Sequence, residues 1–380
     1  MGKAMIDDVI VIGGGITGCA TAHYLAEAGA RVSLLEAGEL NAMASSANAG
    51  SLHAQIPHEP FVTKGGEWAR NFVPAVRFFR ASLDLWRGIE QTLGEDLEVG
   101  FGGGLLVASN AKEMAEVEAK AAIEREAGLV VNLLDQRALR EIAPYVSDRM
   151  IGGAFCPDEG KANPLIVAPA FAASARRLGA NVRTGEHVLA IERVQGGYAV
   201  RTASAGFRAE RIVNAAGIAS GDIAAMLGFG LATQSFPIQA TVTEPAEPLV
   251  RHLLYSAGRP LTMKQTRIGT ILIGGGWPAR LDAMGRPVVD PVSLAANLGV
   301  ALEAVPAIAP LQVVRTWAAM VNGTEDWLPI IGEIPGAPGA FIAYVPWMGF
   351  TGGPAAARIV ADLLLGRSPS IDGDFASFEP

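Results

Sequence analysis

Val9-Ile10-Val11-Ile12-Gly13-Gly14-Gly15-Ile16-Thr17-Gly18, near the N-terminus, passes from four β-branched residues straight into a run of glycines. A short, wholly apolar, β-branched run reads as a parallel strand covered on both faces. Ile16 to Ala28 then reads as a helix rich in small residues and closed by Gly29, and Arg31 to Glu36 as a second strand. Strand, glycine turn, helix and strand within about 30 residues make a βαβ unit. Gly13, Gly15 and Gly18 fit the GxGxxG pattern. The first glycine permits the tight turn, the second lets backbone approach a pyrophosphate, and the third packs helix against strand. The helix start at Ile16 and Thr17 offers free N–H groups and a positive dipole end to phosphates. Glu36, followed by Ala37, closes the second strand where a carboxylate accepts from ribose hydroxyls. The motif alone leaves FAD and NAD both open.

Beyond this unit, the 380 residues are half hydrophobic and 18% charged, with 45 glycines and a net charge of −8. The composition allows a large core and two or three domain-sized units. An acidic chain without a basic stripe argues against nucleic acid and against an anionic membrane surface as partners. Cys19 and Cys156 form no CxxC pair, so this chain by itself does not supply the thiolates of an iron–sulfur cluster. Two cysteines without a framework fit a reducing cytoplasm. Met1 to Asp8 is too polar for a signal peptide. No stretch reaches about 18 apolar residues, so no transmembrane span is expected.

Large apolar residues at Trp68, Phe72, Val76, Phe79, Leu83, Trp86, Ile89 and Leu93 recur in steps of three and four, predicting one long amphipathic helix over 67–93, with Pro74 in its first turns. Further helices are expected at 111–127, 135–142 and 164–178, and a last one from Pro354 to Leu365. Arg211 to Gly217 reads as a buried strand entering a second glycine turn. Segments 236–244, 252–256, 260–265 and 269–275 have strand character. The fold class is α/β: a Rossmann-type domain interleaved with a domain of mixed β-sheet plus helices. The first is expected over 5–60, 150–225 and 326–375, the second over 61–149 and 226–325.

Just after the acid, Ala44-Ser45-Ser46-Ala47-Asn48-Ala49-Gly50-Ser51-Leu52-His53 is a run of small polar residues suited to laying backbone amides along a flat cofactor. With this run, Val213-Asn214-Ala215-Ala216-Gly217, Thr324 to Gly332, and Gly349-Phe350-Thr351-Gly352-Gly353-Pro354, the chain resembles the FAD-dependent D-amino-acid oxidase superfamily over nearly its whole length. The resemblance implies non-covalent FAD. It implies flavin contacts from Ser45, Ser46, Asn48, Ala49, Gly50 and Leu52, and adenine contact through the backbone of Val188. It implies further FAD contacts at Ala216, Gly217, Gly349, Phe350, Thr351 and Gly352. The segments 48–53, 160–165, 261–265 and 274–278 are most similar to β subunits of opine oxidases and D-hydroxyproline dehydrogenases. That branch implies partner subunits carrying an electron acceptor. It also implies a small amino-acid-like substrate, oxidised at its C–N bond by hydride transfer to flavin N5. A stand-alone enzyme, an electron-relay subunit and an NAD(P)-dependent dehydrogenase are the rival readings.

Two departures from the family pattern bear on the site. Val321 stands where glycine oxidase-like members keep the arginine that clamps the substrate carboxylate. No histidine lies near Gly352-Gly353, so no covalent flavin link is expected there. Lys264, in a strand that by resemblance faces the flavin, is either an active-site cation replacing that arginine or a solvated strand lysine. His53 and Gln55 either line the pocket or serve the structure. His58, Lys64, Trp277, Trp347 and Arg315 are lesser candidates.

Overall fold

The computed structural model describes residues 7–371, 373 and 375–380. Met5 and Ile6, at the start of the first expected segment, and Asp372 and Asp374, near the end of the last, lie outside the described residues, as does the polar stretch before Asp7. Asp7–Ile12 lies at the centre of an eight-stranded sheet, parallel to Gly206–Asn214 on one side and Val32–Leu35 on the other. Asn181–Arg183 extends it beyond Val32–Leu35, and Ala340–Tyr344 and then Ile330–Glu333 extend it beyond Gly206–Asn214. Val9 to Ile12 are buried, as a strand covered on both faces requires.

Helix Ile16–Glu27 crosses from the first strand to the second and packs against helices Val167–Arg177 and Gly349–Leu364. Cys19, Ala20 and Ala22 are fully buried, and their small size lets three helices meet closely. At Gly18 a Cβ would stand 1.9 Å from the Gly13 carbonyl oxygen, so no other residue allows this approach of helix to turn.

A second eight-stranded sheet runs in the order Val313–Gly323, Gln234–Pro245, Thr270–Gly274, Thr262–Gln265, Leu253–Ser256, Gly104–Ala108, Gly152–Cys156, Asn132–Asp135. Gly152–Cys156 departs from the sequence expectation, which grouped it with the first layer. It is sandwiched antiparallel between Gly104–Ala108 and Asn132–Asp135. Its glycines explain the position: Cβ atoms at Gly152 and Gly153 would lie 2.5 and 2.1 Å from carbonyls of the two neighbours.

The expected long helix is broken at Phe72, between His58–Asn71, itself kinked at Gly65, and Val73–Leu93, with Pro74 at the start of the latter. Proline lacks an N–H to continue the first helix but suits a first turn. The last helix starts at Gly349, five residues before Pro354. In its first turn Ser82 Oγ (2.6 Å) and Trp86 Nε1 (2.8 Å) donate to the Thr351 carbonyl, tying this helix to Val73–Leu93.

Candidate active site

A cavity of about 1080 Å³ opens at the glycine turn and continues between the two sheets. Its first half is built by the ends of strands in the parallel layer. Gly13, Gly15, Ile16, Thr17, Glu36 and Ala37 line it, together with Val188, Ala216 and Gly217. Gly13 is held at φ +111, where a Cβ would strike the Ala215 carbonyl at 2.4 Å. The Glu36 carboxylate accepts from the N–H groups of Gly14 (2.6 Å) and Gly38 (2.7 Å), which pins it at the mouth of the turn. Ser45 Oγ accepts from the Ile16 N–H at 3.0 Å and would be met at 2.9 Å by a Cβ on Gly15. These are the features a dinucleotide needs: a bare turn, a helix N-terminus and an anchored acid.

Ala44–Ala47 forms a single helical turn rather than an open loop. Ser45, Asn48, Ala49 and Ser51 line the cavity, whereas Ser46, Gly50 and Leu52 do not. Gly50 is turned away against the Ala162 carbonyl, and Leu52 is fully buried in the core. At the other wall Gly349, Phe350 and Thr351 line the cavity. Gly352 instead abuts Phe78 and Phe79, where a Cβ would come within 2.7 and 2.9 Å, so its absent side chain serves helix packing.

The second half is a compartment walled by both layers, with His53, Tyr255, Arg259, Trp317, Val321 and Trp327 among its lining residues. Trp327 stacks on Trp347 with centroids 4.5 Å apart at 15°, and Trp347 stacks in turn on Phe236. Both tryptophans sit at positive φ, 70 and 55. Strained backbone at two bulky residues costs on the order of 1–3 kcal/mol each and gathers at functional sites.

Lys264 does not line the compartment. It lies 2% exposed behind the wall and its Nζ donates to Ser51 Oγ at 2.5 Å. Burial and the nearby Lys161 push its pKa well below the usual lysine value, so the expected role of a carboxylate-binding cation is not met by this side chain in this arrangement. Among the other candidates, Gln55, His58 and Trp347 line the cavity, while Lys64, Trp277 and Arg315 do not. Lys64 is tied to the Glu325 carbonyl, Trp277 to the Pro260 carbonyl, and Arg315 is exposed beside Trp317.

His53 belongs to a buried polar line that the sequence did not disclose. Its Nδ1 meets the Tyr255 hydroxyl at 2.7 Å, and that hydroxyl donates to Glu159 Oε2 at 2.8 Å. Glu159, fully buried, also accepts from the N–H groups of Ala54 and Gln55 and from Gln55 Nε2. Gln55 Oε1 then meets Lys120, which pairs with Glu124 at 2.5 Å. Burial, and next the Lys264 amine, lower the His53 pKa to about 3. Burial raises the Tyr255 pKa well above its usual value, with Glu159 adding to it. The one local signal was Glu159 itself, standing between Asp158 and Gly160 just after the glycine-rich strand Gly152–Cys156.

Both cysteines are free and buried, and burial pushes the Cys19 thiol up to about 12. No group of described residues could hold a metal ion, and among them no helix is long and apolar enough to cross a membrane.

A family described as FAD dependent oxidoreductase (DAO) matches residues 8–363. Glycine oxidase of Bacillus subtilis is 26% identical, covering 96% of this chain and 95% of its own. An opine oxidase subunit of Agrobacterium tumefaciens is 27% identical, covering 88% and 87%. The crystal structure of glycine oxidase from Geobacillus kaustophilus superposes with a TM-score of 0.80 at 25% identity, covering 98% of each chain.

Proposed function

Since the chain belongs to the DAO family of FAD-dependent oxidoreductases, we propose that it oxidises the C–N bond of an amino acid, imino acid or opine. The observation that carries this reading is the continuity of the cavity: a dinucleotide cradle at Gly13–Gly15 and Glu36 opens directly into a compartment lined by His53, Tyr255, Arg259 and tryptophans. Bound FAD supplies a two-electron acceptor for hydride from the substrate's α-carbon. The glycine turn and the helix start hold its pyrophosphate, Glu36 its ribose, and the backbone beside Val188 its adenine. Ser45, Asn48, Ala49 and Ser51 run along it, and the segment Gly349–Thr351 closes the far side. No histidine or cysteine stands in the segment 347–353 that closes the far side, which supports a non-covalent cofactor. Lys264 acts through Ser51 as a positioning residue.

The substrate's carboxylate needs a cation, and Val321 offers none. Of the cations lining the cavity, Lys120 is buried and paired with Glu124, which leaves Arg259. Its present partner is Glu303 at 2.9 Å, both side chains about half exposed. Such a surface pair is worth roughly 0–1 kcal/mol, so exchange for a substrate carboxylate is cheap. The tryptophan walls and the short Val321 side chain suit a bulky or N-substituted amine better than glycine.

The similarity to an opine oxidase that is itself made of subunits supports a partner-bearing assembly in which electrons pass on to other chains. The two unpaired cysteines support a cytoplasmic setting.

Anaerobic mixing with glycine, D-alanine, sarcosine, L-proline and an N-(1-carboxyethyl) amino acid, followed by loss of flavin absorbance, tests the reading. Bleaching is expected with the bulkier or N-substituted compounds and slowly, if at all, with glycine and D-alanine. Arg259→Met should raise the half-saturating concentration about ten- to a hundred-fold, the equivalent of roughly 1.5–3 kcal/mol for a charged hydrogen bond. Glycine bleaching as fast as the rest, or unchanged saturation in Arg259→Met, counts against it.

A further inference from the structure

Resting on the reading of amine oxidation, we propose that His53, Tyr255 and Glu159 form a proton relay. The relay removes a proton from the substrate's ammonium nitrogen and stores it on Glu159. Hydride departure from the α-carbon needs the lone pair of a neutral amine, and amino acids arrive protonated at nitrogen. A group in the compartment must therefore accept that proton.

The hydrogen bonds fix the direction of the line. A carboxylate only accepts, so the single Tyr255 hydrogen points to Glu159 Oε2 (2.8 Å). Towards His53 the same oxygen then offers a lone pair, so Nδ1, 2.7 Å away, carries the hydrogen. That leaves Nε2 with its lone pair on the side of the cavity that His53 lines, and it makes no hydrogen bond to any described residue. The bond made by one ring nitrogen sets the tautomer, and with it what the other nitrogen can do.

The proton inventory balances without an outside reagent. The substrate N–H breaks and a bond forms at His53 Nε2. The Nδ1 proton passes to the Tyr255 oxygen, and the Tyr255 proton passes to Glu159 Oε2. Each hydrogen bond reverses direction and no heavy atom moves. An ammonium and a buried carboxylate become a neutral amine and a carboxylic acid, which removes the charge buried at Glu159.

The site is built for this acid. Gly104 leaves the room it occupies, since a Cβ there would lie 1.8 Å from Glu159 Oε2. Four donors orient it: the Ala54 and Gln55 N–H groups, Gln55 Nε2 and the Tyr255 hydroxyl. The other ionisable groups facing the line are already committed. Lys264 is bonded to Ser51, with Lys161 beyond it on the Gln265 carbonyl. Lys120 is paired with Glu124, and Cys156 is kept protonated by burial. His58 is held neutral by burial and Lys120.

The test is the pH profile of flavin reduction, read by stopped flow on FAD-loaded protein with the compound from the screen that bleaches fastest. Tyr255→Phe and Glu159→Gln should each slow reduction about a hundred-fold near pH 7, the lower bound for general-base catalysis. Both should approach the wild-type rate as pH rises to where the free amine is already neutral, with FAD content unchanged. Tyr255→Phe keeps the ring, so it remains informative where Glu159→Gln fails to fold. A Tyr255→Phe enzyme as fast as wild type near pH 7, or equally slow at every pH, overturns the relay while the amine-oxidation reading stands. Failure of wild type to bleach with any amine overturns both.

Discussion

A histidine whose positive charge the fold penalises makes the folded state acid-sensitive, and this chain has two in its cavity wall. His53 is held at about 3 and His58 at about 4, against an ordinary value of 6.5. Above that ordinary value both the folded and unfolded forms are neutral and nothing is gained or lost. As pH falls through it, the unfolded chain takes up protons that the folded one refuses, so stability declines until the depressed values are reached. By about pH 5 each histidine should remove roughly 2 kcal/mol. We expect the melting midpoint to fall by several degrees between pH 7.5 and 5. His53→Gln, which cannot titrate, should lessen that fall, and an unchanged pH slope in this variant would show that His53 is not buried neutral.

Among the elements, helix Gly349–Leu364 packs both against its own layer and against helix Val73–Leu93. Its glycines do different work. At Gly349 a Cβ would meet nothing within 4 Å, while at Gly352 it would press on Phe78, Phe79 and Val345 at 2.7 to 3.0 Å. Phe78 and Phe79 are fully buried and pack against each other at 5.2 Å, which limits how far they can give way. Gly352→Ala should therefore lower stability by about 1–3 kcal/mol, the usual range for overpacking. Gly349→Ala should be neutral or slightly stabilising, because alanine is the better helix former. Denaturant midpoints of the two apoproteins decide it, and equal midpoints would contradict the packing described. The pattern of large apolar residues over 67–93 was legible as helical periodicity, yet not its break at Phe72. Proline is compatible with either one kinked helix or a fresh start, and only the way the two halves pack decides between them.

For the molecule as a whole, the cavity is the seam between two sheets, so its ligand ties them together. FAD at a hundred times its dissociation constant should stabilise the fold by about 2.7 kcal/mol and raise the melting midpoint by a few degrees. Gly15→Val should abolish that rise by filling the pyrophosphate's approach. It should leave the apoprotein melting near wild type, since the Gly15 Cβ meets only the end of the Ser45 side chain at 2.9 Å. A rise in Gly15→Val equal to wild type would displace the cofactor from this turn. The features legible in the chain alone are local: the βαβ unit, the GxGxxG turn, Glu36 and the small-residue run after it. A turn type, a helix start and a buried strand are each set by residues within one or two elements. The second half of the cavity came from long-range packing instead. His53, Glu159 and Tyr255 lie 202 and 96 residues apart along their two hydrogen bonds, and no periodicity links them. Lys264 shows the same limit from the other side. Its strand was legible in the sequence, but its bond to Ser51 Oγ, 213 residues away and outside the cavity lining, was decided only by the tertiary fold.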